Sequence, residues 1–80
     1  MKCTVKLVWD SEASIWYTET DDVPGLVLHA PTFDALVDRV RYAAPELLED
    51  NLNYVGPVYI SFEAERIEEG INDIGNDVAI

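Results

Sequence analysis

The stretch DDVPGLVLHAPTFDALV, residues 21–37, decides the fold, because an acidic turn, a short apolar strand and the start of a helix follow one another in it. Pro24 followed by Gly25 predicts a type II turn, since proline fixes φ at the first central position and glycine supplies the positive φ of the second. Residues 26–30 then predict a strand. Pro31 has no N–H to donate to a neighbouring strand, so it ends this one.

A long amphipathic helix is predicted after Pro31. Thr32 is a typical N-cap, and the carboxylate of Asp34 complements the positive end of the helix dipole. Apolar residues recur at spacings of three and four and form one stripe, at positions 33, 36, 37, 40, 44, 47 and 48. Proline inside a helix costs about 3 kcal/mol, so Pro45 indicates a kink or a brief break, and a second short helix beginning at Pro45 is the alternative. The helix is expected to end within residues 51–53.

Three further segments predict strands. Residues 2–10 alternate in polarity, and residues 15–20 are rich in β-branched and aromatic side chains, with a short polar connection that makes the pair an antiparallel hairpin. Residues 58–65 alternate again and predict a fourth strand. The order is therefore β-β-β-α-β within residues 1–67. This order predicts a two-layer α+β domain, in which one helix covers one face of a mainly antiparallel sheet, followed by a loose tail at residues 68–80.

Length and cysteine content narrow the class of protein. The chain has 80 residues, 49% of them apolar, which is enough for the core of one domain. Cys3 is the one cysteine of the sequence, and no basic group flanks it closely enough to stabilise a thiolate, so a buried thiol in a reducing compartment is expected. No stretch approaches the roughly 20 apolar residues of a membrane span, and the N-terminal residues lack the apolar run of a signal peptide. We therefore expect a cytoplasmic protein.

Charge is the strongest bulk signal of the sequence. Sixteen Asp and Glu residues face five Lys and Arg residues, and the net charge is −11. Such a surface repels phosphate backbones and anionic lipids, so direct binding to nucleic acid or membrane is not expected. A basic protein partner, or mimicry of nucleic-acid charge, fits this surface. Acidity that serves only solubility is the other interpretation.

A search for chemistry finds few candidates. His29 is the one histidine, and it lacks a second His or Cys at metal-ligand spacing. Asp10 with Glu46 or Glu49 are the only plausible seeds of a divalent-metal nuclease site, and solvated surface acids explain them better. No glycine-rich phosphate loop or nucleophile elbow is present in the sequence. We therefore expect no catalytic residue, no metal and no cofactor, and a protein that is not an enzyme.

One sheet face is expected to remain open opposite the helix. It carries apolar and aromatic residues, which usually mark an interaction site: Val8, Val27, His29, Tyr59 and, if the hairpin register places it there, Trp16. A second copy of the chain, a partner protein, or the chain's own tail are the three candidate occupants. Asp21 and Asp22 either receive a basic partner residue or are ordinary turn residues. The predicted partner-binding residues are thus Asp21, Asp22, Trp16, His29 and Tyr59.

Several of these segments resemble a known family. The acidic turn, the strand and the Thr-capped, Ala-rich helix occur in the order found in HicB-type antitoxin domains, at residues 21–26 (DDVPGL) and 30–36 (APTFDAL). Together with residues 9–13 (WDSEA), Trp16 and residues 43–48 (AAPELL), the chain is similar to small bacterial proteins grouped with HicB by fold. The likeness covers residues 3 to 65.

The resemblance implies a degraded ribonuclease-H-like sheet without catalytic acids. It implies a partner as well, because HicB-type proteins neutralise HicA-type toxins, which are small basic ribonucleases that cleave mRNA. Many HicB-type proteins also carry a C-terminal DNA-binding segment. Residues 68–80 depart from that pattern, being too short, too acidic and too glycine-rich. We therefore expect a HicB-like antitoxin that binds protein and not operator DNA, or alternatively a small homodimeric structural or regulatory protein without a toxin.

Overall fold

The computed structural model describes residues 1–72 of the chain, and they form four strands and one helix. The elements are β1 (Lys2–Asp10), β2 (Ile15–Glu19), β3 (His29–Ala30), α1 (Phe33–Leu52) and β4 (Tyr59–Glu65). The strands form one sheet in the order β3-β2-β1-β4. The predicted α+β class and the order β-β-β-α-β are confirmed.

The sheet is mixed because its two kinds of connection differ in length. The short turn after β1 returns the chain beside it, so β1 and β2 pair antiparallel, and β3 pairs antiparallel with β2. The long crossover through α1 brings β4 back parallel to β1. β1 therefore lies inside the sheet, whereas β3 and β4 lie at its edges.

The core lies between β1 and α1. On β1 the alternate residues Cys3, Val5 and Leu7 are buried, as the period of two requires. On α1 the buried residues follow every fourth position: Leu36, Val40, Ala44 and Leu48. No polar or charged side chain is buried within residues 1–72, so burial of apolar surface is the main stabilising term. Within the same residues, no helix is both long and apolar enough to cross a membrane.

The third strand is shorter than predicted. Gly25 has φ of 81° and the N–H of Leu26 donates to the carbonyl of Val23, so the predicted Pro-Gly turn is confirmed. The expected strand over residues 26–30 is confirmed only for its last two residues, His29–Ala30.

The hydroxyl of Thr18 explains why the ladder is shortened. It donates to the carbonyl of Leu26 at 3.2 Å and accepts the N–H of Leu28 at 3.0 Å. These side-chain bonds take the place of ladder bonds before β3 begins, and a backbone bond from the Thr18 N–H to the Leu28 carbonyl, at 3.1 Å, adds to them. Residues 26–28 are thus held against β2 without extending the strand.

The helix runs without a break through Pro45, so the predicted brief break and the alternative second helix are wrong, and the predicted kink stays a prediction. The helix begins as predicted, because the Thr32 hydroxyl accepts the N–H of Ala35 at 3.1 Å. It ends at Leu52, and the C-cap residue Asn53 has φ of 52° and donates its N–H to the carbonyl of Glu49. The buried stripe on both sides of the proline supplies the stabilisation that the missing N–H withdraws.

The Pro45→Ala substitution tests this balance. It restores one N–H to the helix interior and leaves the exposed side of α1 otherwise unchanged. We expect the free energy of unfolding to rise by about 1 to 3 kcal/mol, measured by urea denaturation. Ala44→Gly is the comparison in the same turn and is expected to lower it. A Pro45→Ala protein no more stable than the wild type would show that α1 accommodates the proline without cost.

Candidate protein-binding face

The face of the sheet opposite α1, called here the open face, is built by strand register. Because directly paired residues point to the same side of a sheet, each row across the strands can be read from the pairing. The rows are His29–Tyr17–Val8–Glu65, then Glu19–Lys6–Glu63, then Thr4–Ser61, and then Lys2–Tyr59. One row made only of charged residues, Glu19–Lys6–Glu63, therefore crosses the middle of the open face.

Lys6 lies at the centre of the open face among carboxylates. Its ammonium is 4.0 Å from Glu19 and 3.9 Å from Glu65, and Glu63 is its direct neighbour on β4. Ion pairs of this length at an exposed surface contribute little stability. One ammonium cannot neutralise three carboxylates, so this part of the face keeps a negative potential.

A shallow depression of about 300 Å³ extends the acidic region toward the turn before Pro24. Its lining contains four carboxylates and one ammonium: Thr4, Lys6, Glu19, Thr20, Asp21, Asp22 and Glu63. A lysine or arginine of another protein matches the depression in charge.

Hydrogen bonds to β1 hold the turn residues of this depression in place. Asp22 accepts the N–H of Thr4 at 2.7 Å, and the Thr20 hydroxyl donates to the Thr4 carbonyl at 2.7 Å. The N–H of Asp22 in turn donates to the Thr20 hydroxyl oxygen at 3.1 Å. The side chains of Thr20 and Asp22 thus continue the β1–β2 pairing beyond Glu19, and the carboxylate of Asp22 is held in position.

The predicted site residues do not all share the open face. Trp16 pairs with Trp9 and faces the helix, where its ring packs edge-on against Phe33 with centroids 5.2 Å apart. Trp16 was expected on the open face only if the hairpin register placed it there. The register does not, and the side chain of Trp16 belongs to the core.

His29 and Tyr59 do lie on the open face, but at opposite ends of it. His29 is in the row of Val8, whereas Tyr59 is level with Lys2, six residues away along β1, or about 20 Å. Val8 is only 8% exposed, and Val27 is 86% exposed but precedes β3. The expected apolar patch is therefore interrupted by charge. Asp21 and Asp22 both lie at the acidic depression, and their partner-binding role stays a prediction.

Four charged residues of this face were not predicted from the sequence: Lys6, Glu19, Glu63 and Glu65. A signal for them existed, since the alternation that buries Cys3 sends even-numbered residues of β1 outward. What the alternation could not supply was the pairing of β1 with β4, which joins residues almost sixty positions apart.

A second, apolar groove of about 380 Å³ lies on the outer side of α1. It is lined by Leu28, Arg39, Tyr42, Ala43 and Glu46. Tyr42 is 82% exposed there, and the Arg39 guanidinium donates to the carbonyl of His29 at 3.0 Å. That bond ties the helix to the edge strand β3 and leaves the groove open to solvent.

The acids considered as metal ligands are not brought together. Asp10 accepts the N–H groups of Glu12 and Ala13 at 3.0 and 3.2 Å and so closes the hairpin turn. Glu46 and Glu49 lie on α1. In the part of the chain that the structure describes, no group of three or more His, Cys, Asp or Glu residues is arranged to hold a metal ion.

Cys3 is buried in the core, as expected from the sequence. Burial raises the pKa of its thiol, and the charge of Asp22 raises that pKa further. The protein therefore keeps this sulfur as a neutral thiol, the form that is not nucleophilic.

A family model described as "Domain of unknown function (DUF1902)" matches residues 2–71. The chain belongs to this family. It is similar to the crystal structure of the hypothetical protein TTHA1013 from the extremely thermophilic bacterium Thermus thermophilus, with 38% sequence identity and a TM-score of 0.75 over 88% of this chain and 100% of that one. No curated protein matches the chain.

For this DUF1902 member, the state of Cys3 gives a direct test of the core. We expect its thiol to react with a chromogenic disulfide reagent on the order of 100-fold more slowly in the native protein than in denaturant, because the native chain must open first. The Cys3→Ala protein serves as the blank in this assay. Equal rates with and without denaturant would contradict the burial of Cys3.

Proposed function

We propose that the chain is a non-catalytic protein-binding module, a HicB-like antitoxin that neutralises a small, basic, HicA-like mRNA-cleaving toxin in the cytoplasm. The observation that carries the proposal is the acidic region of the open face, where Lys6 lies within 4.0 Å of the carboxylates of Glu19 and Glu65. Glu63 is paired with Lys6 on β4, and Asp21 lines the adjoining depression. A ribonuclease that binds RNA presents a basic surface, and a carboxylate surface occupies it by charge complementarity.

The position of these charges supports a protein partner over a solubility role alone. Within residues 1–72, Lys6 is tied only by ion pairs of 3.9 and 4.0 Å, so a lysine or arginine of a partner can replace its ammonium at Glu19 and Glu65 without breaking a strong bond. Asp22 is held by the Thr4 N–H, so the edge of the acidic region does not need to reorganise on binding. The net charge of −11 adds long-range attraction, which speeds encounter with a basic protein.

The alternative in the sequence analysis was a homodimer formed through the open face, with no toxin partner. Face-to-face contact would bring Glu19, Glu63 and Glu65 of two copies together around two ammonium groups. Like charges in contact cost affinity, so the open face favours a basic partner over a second copy of itself.

The proposal predicts a small basic protein encoded beside this chain's gene. The test is calorimetric titration with that protein, with and without a triple substitution, Glu19→Gln, Glu63→Gln and Glu65→Gln. Each neutralised contact is expected to weaken binding by about 0.5 to 1 kcal/mol, so the triple protein binds at least about tenfold more weakly. Affinity is also expected to fall as salt rises, and the wild-type chain is expected to inhibit RNA cleavage by that protein.

The control for charge alone is a second triple substitution on the exposed side of α1, Glu46→Gln, Glu49→Gln and Asp50→Asn, which removes the same net charge. Its affinity is expected to stay close to that of the wild type. If both triple proteins lose affinity equally, net charge and not the open face governs binding. If neither does, or if the neighbouring protein does not bind, the proposal is wrong.

A further inference from the structure

The outer edge of β4 presents a free strand edge. β4 pairs with β1 on one side, and within residues 1–72 no strand lies on the other side. Its seven residues, YISFEAE, contain neither proline nor lysine, two of the residue types that usually protect such an edge from pairing. An edge of this length is a template for another strand.

The hydrogen-bonding groups that face outward can be assigned. The N–H of Tyr59 donates to the carbonyl of Met1 at 2.8 Å, so Tyr59 turns its backbone groups toward β1. In a parallel ladder this direction alternates along the strand. Ile60, Phe62 and Ala64 therefore turn their N–H and C=O groups away from the sheet, three donors and three acceptors in one row.

The side chains beside this edge are incompletely covered. The backbone of α1 approaches β2 and β3 more closely than β4, and Ile60 and Phe62 are only half-buried. A depression of about 330 Å³ lies next to them, lined by Arg41, Pro45, Val58, Tyr59, Ile60 and Phe62. Another strand beside β4 would cover this apolar surface and would also form hydrogen bonds with the outward-facing backbone N–H and C=O groups.

We propose that this edge, called here the β4 edge, pairs antiparallel with the β4 edge of a second copy of the chain, about a two-fold axis at Phe62. In that register Phe62 faces the partner's Phe62, and Ile60 faces the partner's Ala64. All three outward-facing residues then exchange hydrogen bonds with their counterparts, six bonds in total by the pairing rule. The proposal does not rest on the proposed function, because it concerns another surface and another partner.

Charge selects this register among the alternatives. With the axis at Phe62, Glu63 lies opposite the partner's Ser61 and Glu65 lies opposite the partner's Tyr59, so no carboxylate faces a carboxylate. Moving the axis to Glu63 sets Glu63 against the partner's Glu63, and moving it to Ala64 sets Glu63 against the partner's Glu65. Like charges directly opposite are destabilising. Moving the axis the other way, to Ser61, shortens the paired length.

The same register accounts for the composition of β4. A strand that pairs with its own copy has to keep its charged residues off the axis and opposite neutral ones. Glu63 and Glu65 both occupy the half of β4 after Phe62, and the half before it carries no charge. The two-fold axis places the charged half of one copy against the neutral half of the other. The result is an eight-stranded sheet with both open faces on the same side.

Salt distinguishes this dimer from a complex with a basic protein. Two chains of net charge −11 repel each other, and added salt screens that repulsion. The dimer is therefore expected to tighten as sodium chloride rises, measured by sedimentation equilibrium of the full chain. A complex of the open face with a basic protein is expected to weaken as salt rises. The opposite salt dependences allow each of the two proposals to be disproved without the other.

Cross-linking tests the register itself. In a Cys3→Ala background, one protein carries Ser61→Cys and a second carries Glu63→Cys. These positions are directly opposite in the proposed dimer, at a Cα separation of about 4.5 Å, within the range of a disulfide. On mild oxidation the mixture is expected to form the mixed disulfide at least about tenfold faster than either protein forms its own, since the other pairs are diagonal. Ser61→Cys mixed with Glu65→Cys is the control one step out of register.

Proline at position 64 tests the backbone bonds. Ala64 is exposed and its N–H faces outward, so Ala64→Pro removes two of the six bonds of the dimer and leaves the β1–β4 ladder intact. The dimer is expected to weaken at least about tenfold, with unchanged circular dichroism, whereas Ala64→Val, which keeps the N–H, still dimerises. A chain that is monomeric at all concentrations and salts overturns the proposal. So does a dimer that Ala64→Pro leaves unchanged, or cross-linking that ignores the register.

Discussion

The structure depends on the position of β1 between an antiparallel and a parallel neighbour. Cys3, Val5 and Leu7 turn one face of β1 to the helix, and the residues between them turn the other face to solvent. Because both β2 and β4 pair with β1, the register of these two pairings determines which residues form each row of the open face. Lys6 becomes the centre of the acidic surface for the same reason that Val5 becomes part of the core.

Local chemistry predicted the elements that depend on neighbours in sequence. The Pro24–Gly25 turn and the Thr32 cap each use bonds within three residues, and both are confirmed. Interactions between residues farther apart in the sequence explain where the strand and helix predictions were wrong. The Thr18 hydroxyl replaced ladder bonds that the predicted strand at residues 26–30 needed, and the buried stripe of α1 outweighed the local cost of Pro45.

Only those residues of the candidate site that are adjacent in sequence could be predicted to lie together. Asp21 and Asp22 follow β2 directly and were found, because a turn places its own residues. Trp16 was assigned conditionally, since one residue of register exchanges the two faces of a strand. The charged row of Glu19, Lys6 and Glu63 depends on the parallel return of β4 after a helix of twenty residues, which alternation alone does not specify.

The open face and the β4 edge both involve residues of β4, but through different groups. Glu63 and Glu65 contribute their carboxylates to the open face, and their strand contributes its outer backbone groups to the edge. A strand added at the β4 edge leaves the open face uncovered, because side chains stand perpendicular to the sheet. A dimer would therefore present two acidic surfaces side by side, and avidity toward a partner with two basic patches follows from that geometry.

The central claim is that the open face recognises a basic partner, and NMR titration of the isotope-labelled chain with that partner tests it most directly. The account predicts that amide shifts change at Lys6, Glu19 and Glu63 and stay unchanged at Tyr42 in the groove of α1. Shift changes concentrated around Tyr42, with none on the open face, would contradict it.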